Sequence, residues 1–370
     1  MAKKETESAR EKRIKDICAA INEGSFGGEN KDAVTWLGSS DSFGVERFST
    51  GCQELDLALG GGWPKGRFIE IFGGEMVGKS TMVLHALAEY QKKWPEDDIA
   101  LCDVEYTFAE NYAQAIGVNT KFLLVNQPES GKQALNVITE LIQKGVKCIV
   151  VDSVAALTTG TDNDGDIGDQ SMGEQARMVS PALRKLTQEA GKHGTTIFWT
   201  NQIREKIGIQ WGDKTTTPGG RALKHYASVR VHMKSLGAVR EGTGDEKVAV
   251  CMKVKAEVKK SKVSPPFRTA EFFITFGHGV DQIASVVDSA LACGVLTKRG
   301  AWFSFDGQNI GQGRADLLDL LRKDANLTDQ IKNKIVAAPV VRVPVITDNV
   351  EESDEDSVIP DTTKVEIADA

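Results

Sequence analysis

Residues 73–80 read Gly-Gly-Glu-Met-Val-Gly-Lys-Ser, a spacing of glycines, one lysine and one hydroxyl that suits a grip on phosphate. Gly73, Gly74 and Gly78 free the backbone to fold into a nest, and the amides of Glu75, Met76 and Val77 lie between them. The helix expected next adds the positive end of its dipole. Lys79 can then reach the β- and γ-phosphates of a nucleoside triphosphate, and the Ser80 hydroxyl can sit on Mg²⁺. A chance match in a glycine-rich turn is the alternative, since the chain has 36 glycines. Placement argues against it, because the apolar run RFIEIF precedes the loop and STMVLHALAEY follows it.

Two acids and an amide fall where such a site needs them. Asp152 ends the apolar run KCIVVD, a place from which a carboxylate can orient a metal through its water shell. Glu105 follows IALCD, where a carboxylate can polarise the water that attacks a γ-phosphate. For each, the alternative is a solvated acid at a strand end. Gln202 ends TTIFWTNQ and can sense a γ-phosphate, or serve only as a structural amide. The histidines (His85, His193, His225, His232, His278) form no metal-binding spacing, so packing or surface positions are expected for them. Asp162, Asp164 and Asp166 suggest a calcium loop, but Ile167 and Gly173 stand where that loop requires Gly and Glu.

These residues need a scaffold that brings strand ends together. Apolar runs at 67–72, 99–103, 122–125, 147–152 and 195–202 alternate with helical stretches near 80–94, 131–144 and 172–191. That alternation predicts an α/β fold with a mostly parallel central sheet covered by helices on both faces. After 226 the runs ASVRVHM, KVAVCMKV and TAEFFITF lack long intervening helices and predict antiparallel additions at a sheet edge. Ile14, Ile17, Cys18 and Ile21 make one stripe of a short helix over 11–23, which needs a surface to dock on. The expected organisation is an N-terminal helix and linker over 1–45, a core over 46–280, a small α/β unit over 281–337 and a tail over 338–370.

The chain of 370 residues carries 41% hydrophobic and 26% charged residues, enough for a sizeable core. No run approaches the ~18 apolar residues of a membrane span, so no membrane partner is expected. The charged start, MAKKETESAREKR, does not read as a secretory signal. Six scattered cysteines without a CxxC pair predict reduced thiols, as in a cytoplasm. The net charge of −7 is misleading, because residues 347–370 hold nine acids against the single base Lys364. Such a tail is expected to be disordered. Residues 204–234 carry seven Lys/Arg against two acids, and 253–262 five Lys against one Glu. Charge alone leaves a polyanion partner undecided.

The wider sequence resembles the bacterial RecA recombinases. The similarity runs in unbroken order over roughly 48–325, through FSTGCQELDLALGGGWPKGRFIEIFGGEMVGKS, CDVEYTFAENYAQAIGV, CIVVDSVAALT, IGDQSMGEQARMVSPALRKL, NQIREKIGIQWGDKTTTPGGRALKHYASVR, VSPPFRTAEFFI and GAWFSFDGQNIGQGRADLLDLL. The phosphate loop is common to many ATPases, whereas the NQIR-to-ASVR segment is specific. The resemblance implies a P-loop RecA-like ATPase core whose N-terminal helix serves polymerisation. It also implies a filament on single-stranded DNA that pairs and exchanges strands with homologous duplex, with ATP and Mg²⁺ between neighbours and DNA-dependent hydrolysis. The setting would be the cytoplasm of a bacterial or phage-infected cell.

By the same resemblance Glu105 looks like the catalytic base, aided by Lys79, with Asp152 orienting the metal. Gln202 would link γ-phosphate to a DNA loop. Tyr112 is similar to a tyrosine that stacks on adenine, and Lys260 and Lys262 match a pair that reaches the neighbour's ATP. The DNA loops would be 160–172 and 204–220, with Met172, Arg177 and Arg184 contributing from the first region and the helix after it. Arg204, Lys206, Ile207, Trp211, Gly219, Gly220 and Arg221 would contribute from the second. Residues 158–174 are acidic, so charge alone does not predict DNA there. Ile207 matches an apolar wedge between base triplets, and Trp211 can stack on bases. The acidic tail is expected to compete with DNA for the basic surface. Tyr106, Ala109 and Pro218 depart from the family pattern. Two other readings are an ATP-bound filament or mediator that barely hydrolyses, disfavoured by Glu105, and a ring helicase, disfavoured by the DNA-loop sequence.

Overall fold

The computed structural model describes residues 7–23, 34–37, 44–157, 174–205, 215–241 and 247–338. Asp162, Asp164, Asp166, Met172, Lys206, Ile207, Trp211 and the acidic tail, all singled out by the sequence, lie outside these residues.

The elements run α1 (Glu7–Asn22), β1 (Arg47–Phe48), α2 (Gln53–Leu59), β2 (Trp63–Pro64), β3 (Phe68–Gly73), α3 (Lys79–Lys93), β4 (Ile99–Asp103), α4 (Glu110–Ile116), β5 (Leu123–Asn126), α5 (Gly131–Gln143) and β6 (Cys148–Asp152). They continue with α6 (Glu174–His193), β7 (Thr196–Gln202), β8 (Arg204–Glu205), β9 (Thr215–Thr216), α7 (Ala222–Tyr226), β10 (Val229–Glu241), β11 (Val248–Ser261), β12 (Thr269–Thr275) and β13 (Gly279–Val280). Last come α8 (Gln282–Ala292), β14 (Leu296–Arg299), β15 (Trp302–Phe305), β16 (Gln308–Gln312), α9 (Arg314–Lys323) and α10 (Ala325–Ala337).

Nine strands form one sheet in the order β13-β12-β11-β10-β3-β7-β6-β4-β5. Every residue of β3, β4 and β6 is buried, because helices cover both faces, and this is why these strands read as unbroken apolar runs. Ile69, Ile71, Leu101, Val150 and Phe198 pack on one face against α3 residues such as Met82, Val83 and Leu87. Phe68, Cys102, Val151, Ile197 and Trp199 meet α5 and α6 on the other, through Leu135, Ile138, Val179 and Leu183. The alternation of neighbours between the two clusters follows the period of two along a strand.

One expectation is corrected. β10 is antiparallel to β11 but not to β3: on that side Val229–Met233 pair in parallel with Ile69–Gly73. From there the sheet continues through the antiparallel pairs β10–β11, β11–β12 and β12–β13. The short α7 between β9 and β10 is what lets the chain re-enter the sheet in the parallel direction. The N-terminal helix begins at Glu7, four residues before the apolar stripe predicts, and none of its residues is buried, with Ile17 exposed.

The segment after β13 packs around its own core of Val287, Ala290, Phe303, Leu317 and Ile331. It rests on α2, where the Ser285 hydroxyl donates to Glu54 Oε2 and accepts from the Gln53 amide at 2.7 Å. Burial pushes the Glu54 carboxyl up from its ordinary 4.5 to about 7, with the Ser285 hydrogen bond opposing and Asp288 adding to the rise. A carboxyl that binds protons more tightly when folded stabilises the fold less as pH climbs from about 4.5 to about 7. Glu54→Gln should therefore be more stable than the parent by roughly 3 kcal/mol near pH 8 and nearly equal to it near pH 4.5. Urea midpoints at the two pH values test this.

Candidate active site

The strand order places the site. α3 carries the chain from β3 past β7 and β6 to β4, while β10 lies on the other side of β3. The crevice at such a reversal, at the carboxyl ends of the strands, is where open α/β sheets take ligands. Gly73, Gln202, Asp152 and Asp103 are the last residues of β3, β7, β6 and β4, with Gly73 opposite Gln202 and Asp103 opposite Asp152.

The loop between β3 and α3 is shaped by glycine. A Cβ on Gly73 would stand 2.3 Å from the Met233 carbonyl oxygen, and one on Gly78 2.3 Å from Ile274 Cδ1. Gly78 also has φ +86°, and Met76 turns the loop at φ +54° with its side chain 90% exposed. Val77 is buried and anchors the loop from below. Gly78, the N-cap of α3, supplies no capping side chain, and helix geometry leaves the first N–H groups without intrahelical acceptors. Lys79 Nζ donates to the carbonyls of Gly74 at 2.6 Å and Gly73 at 3.3 Å. Burial lowers its pKa, while Asp152, Glu105 and Glu75 push it back up.

Across the crevice, Thr200 Oγ1 donates to Asp152 Oδ1 at 2.5 Å. Burial raises the Asp152 pKa, against hydrogen bonds from Thr200 and Ser80 that lower it. Ser80 and Asp152 thus stand side by side as hard oxygen donors, the chemistry of a Mg²⁺ site that keeps waters and takes phosphate oxygens. Among the described residues no group of three or more His, Cys, Asp and Glu is placed to hold a metal ion. The amides of Val104 and Glu105 donate to the Asp152 carbonyl at 2.7 and 3.3 Å, and Ser153 Oγ donates to Glu105 Oε1. The Glu105 side chain is otherwise open to solvent.

Asp103 is a residue that the sequence reading did not single out. It is buried and accepts from the amides of Thr107 and Phe108, each at 3.1 Å, and from Gln127 Nε2 at 2.9 Å. It therefore holds the turn that carries Glu105 and Tyr106, the latter at φ +57°. Its signal was available in outline, as an acid closing the strand IALCD with no base beside it. Tyr112, half-buried on α4, shares a 2.8 Å hydrogen bond with Thr81, which holds its hydroxyl against the first turn of α3. Lys79, Ser80, Glu105, Asp152, Tyr112 and Gln202 are all brought to one crevice.

The RecA N-terminal domain family matches residues 12–281 and the RecA C-terminal domain family residues 284–339. The chain belongs to the RecA family. It is 43% identical to Protein RecA of Nostoc sp. (strain PCC 7120 / SAG 25.82 / UTEX 2576) over 356 residues, 94% of this chain and 97% of that one. It is 45% identical to the chloroplastic DNA repair protein recA homolog 1 of Arabidopsis thaliana over 326 residues, 87% and 73% of the two chains. RecA proteins in general are DNA recombination and repair proteins that hydrolyse ATP on DNA, with magnesium, as filaments. No described helix of this RecA-family chain is long and apolar enough to cross a membrane, and its six cysteines are free thiols.

The remaining predicted residues lie elsewhere on the RecA-type core. Lys260 Nζ donates to the carbonyls of Lys224 at 2.6 Å and His225 at 3.0 Å, and Lys262 Nζ reaches that of His225 at 3.5 Å. Lys260 pairs with Arg230 on β10, which pairs with Glu70, three residues before the loop. The structure does not bring this pair to Lys79 within one chain. Arg177 and Arg184 are exposed on α6, and Arg221 is exposed at the head of α7. The 204–220 segment is not wholly irregular. Arg204 and Glu205 pair with Thr216 and Thr215, and Gly219 and Gly220 take φ +82° and +74° before α7. A Cβ on Gly219 would sit 2.9 Å from Val154 Cγ1, two residues beyond Asp152.

Proposed function

We propose that this chain polymerises on single-stranded DNA with ATP and Mg²⁺ between neighbours, pairs that DNA with homologous duplex, and couples ATP hydrolysis to release. The observation that carries the reading is the single crevice joining the phosphate loop, the Ser80–Asp152 oxygens and Glu105, with the 204–220 segment rooted at the same strand edge through Gln202 and Gly219.

The loop amides and Lys79 bind the phosphates. Ser80 and Asp152 hold Mg²⁺, which when bound neutralises charge on the phosphate oxygens. Glu105, steadied by Ser153, orients the attacking water and takes its proton. Lys260 and Lys262, remote from the chain's own loop, are supplied to the nucleotide of an adjacent protomer. The exposed stripe of α1 docks on that neighbour, and seating one exposed Ile17 would bury apolar surface otherwise left in water. Met172, Arg177, Arg184, Arg204, Lys206, Ile207, Trp211, Gly219, Gly220 and Arg221 contact DNA, mainly through its backbone, so that base pairing itself tests homology. The setting is cytoplasmic.

A strand-exchange assay tests this, with circular single strands, homologous linear duplex, ATP and Mg²⁺. Joint molecules are expected only with homologous duplex and ATP. DNA-stimulated ATPase without joint molecules would favour a helicase or mediator. Affinity for single strands should fall with log[salt] at a slope of about −0.7 per phosphate contact.

A further inference from the structure

Asn201 lies between Thr200, which holds Asp152, and Gln202, and its side chain is wholly buried. Its Oδ1 accepts from the Gln202 amide at 3.0 Å. Its Nδ2 donates to Glu70 Oε1 at 3.0 Å and to the Pro218 carbonyl at 3.1 Å. The three partners belong to three parts of the machine. Gln202 ends β7 in the crevice, Glu70 lies on the strand that launches the phosphate loop, and Pro218 closes the 204–220 segment. With an N–H on its oxygen and two acceptors on its nitrogen, the amide has one permitted orientation.

Glu70 is itself fully buried and fixed on its other oxygen by Arg230 Nε at 2.5 Å. Arg230 lies 4.5 Å from the Phe72 ring centroid and faces Lys260 across the β10–β11 pairing. A buried carboxylate with both oxygens occupied cannot shift without leaving a charge unpaired, so this network has few arrangements available to it. A displacement of Pro218 must then be felt at the backbone of Gln202.

We propose that Asn201 is a positioning residue that ties the end of the DNA segment to the nucleotide crevice, with Glu70 and Arg230 as its rigid backing. This rests on the reading given under Proposed function. The Asn201 side chain touches neither ligand. It transmits by fixing the Gln202 amide and the Pro218 carbonyl to one group, so that ordering either one orders the other. Coupling of this kind is reciprocal, and typical magnitudes are about 5- to 150-fold in affinity.

The test uses the full chain, a labelled oligothymidylate and the slowly hydrolysed ATPγS with Mg²⁺ at one fixed salt concentration. In the parent, ATPγS is expected to tighten oligonucleotide binding. Asn201→Ser should cut that tightening factor by about tenfold. It should leave ATPγS affinity without DNA, and oligonucleotide affinity without nucleotide, close to the parent. A general structural role would instead lower those two separate affinities, and that result overturns the proposal. An undiminished factor in Asn201→Ser overturns it as well. Should that variant not fold, hydrogen exchange on the parent decides. ATPγS alone should slow exchange of the Thr217, Gly219 and Gly220 amides, and oligonucleotide alone should slow that of Gln202. Absence of both cross-effects sinks the proposal. A parent whose DNA affinity ignores ATPγS sinks the broader functional reading and this proposal together, whereas a responsive parent with an equally responsive variant sinks this proposal alone.

Discussion

Glu105→Gln is expected to lower DNA-stimulated ATP hydrolysis by about 10²–10⁴-fold while leaving ATP and single-strand binding in place. The geometry supports both halves. Glu105 touches the fold through its amide, which donates to the Asp152 carbonyl, and through the Ser153 hydroxyl on one carboxylate oxygen. Glutamine keeps the shape, and its carbonyl oxygen can still accept from Ser153. What it loses is the capacity to take a proton from water. The loop glycines, Lys79 and the Ser80–Asp152 pair do not depend on the Glu105 charge for their positions, so the nucleotide should still bind. Filaments of the variant should therefore form and then persist. Single-turnover phosphate release measures the chemistry, and DNA dissociation after ATP dilution measures persistence. Turnover at the parent rate would mean that another group serves as base.

The phosphate loop was legible in the sequence because its chemistry is local. Glycines at fixed spacing, a lysine and a hydroxyl all fall within eight residues, and the strand and helix on either side announce themselves by composition. The strand-end acids were legible as positions, since Asp152 closes an apolar run and Glu105 follows one two residues on. Their mutual arrangement was not. That Asp103 carries the Glu105 turn and that Thr200 holds Asp152 depends on which strands neighbour one another, and β4, β6 and β7 are joined by crossovers that the sequence leaves open. The parallel entry of β10 was missed for the same reason. Strand direction is set by where the connection crosses, and α7 is too short to stand out as a crossover helix. Asn201 was invisible because a buried amide and a surface amide look alike until the partners on β3 and after β9 are in place. The resemblance supplied roles for Lys260 and Lys262 that no reading of charge could have supplied. The structure adds only that these lysines stand two strands from β3, bonded to carbonyls at the end of α7.

The loss of Lys79 should act earlier in the cycle than the loss of Glu105. Its ammonium is half-buried among Asp152, Glu105 and Glu75, and those carboxylates support its charge against the cost of burial. It is the cation placed where phosphates would enter a crevice otherwise lined by acids. Lys79→Ala removes that charge and leaves Asp152 and Glu105 facing a polyanion with only the loop amides and a magnesium ion to offset them. Loss of one preorganised electrostatic contact of this type costs about 10²–10³ in rate, or roughly 3–4 kcal/mol. Nucleotide binding weakens with it, since the ammonium meets phosphate in the ground state as well as in the transition state. An arginine should not restore it. Nζ already packs within 2.6 Å of the Gly74 carbonyl, and a planar fork needs room that the tight turn at Gly73 and Gly78 does not give. Both variants should consequently fail to assemble on DNA with ATP, in contrast to Glu105→Gln, which should assemble and then stall. Fluorescent-nucleotide titration followed by electron microscopy on oligonucleotide separates the two behaviours. Wild-type nucleotide affinity and long filaments in Lys79→Ala would place the phosphate grip outside residues 73–80, and the reading of the crevice would have to be abandoned.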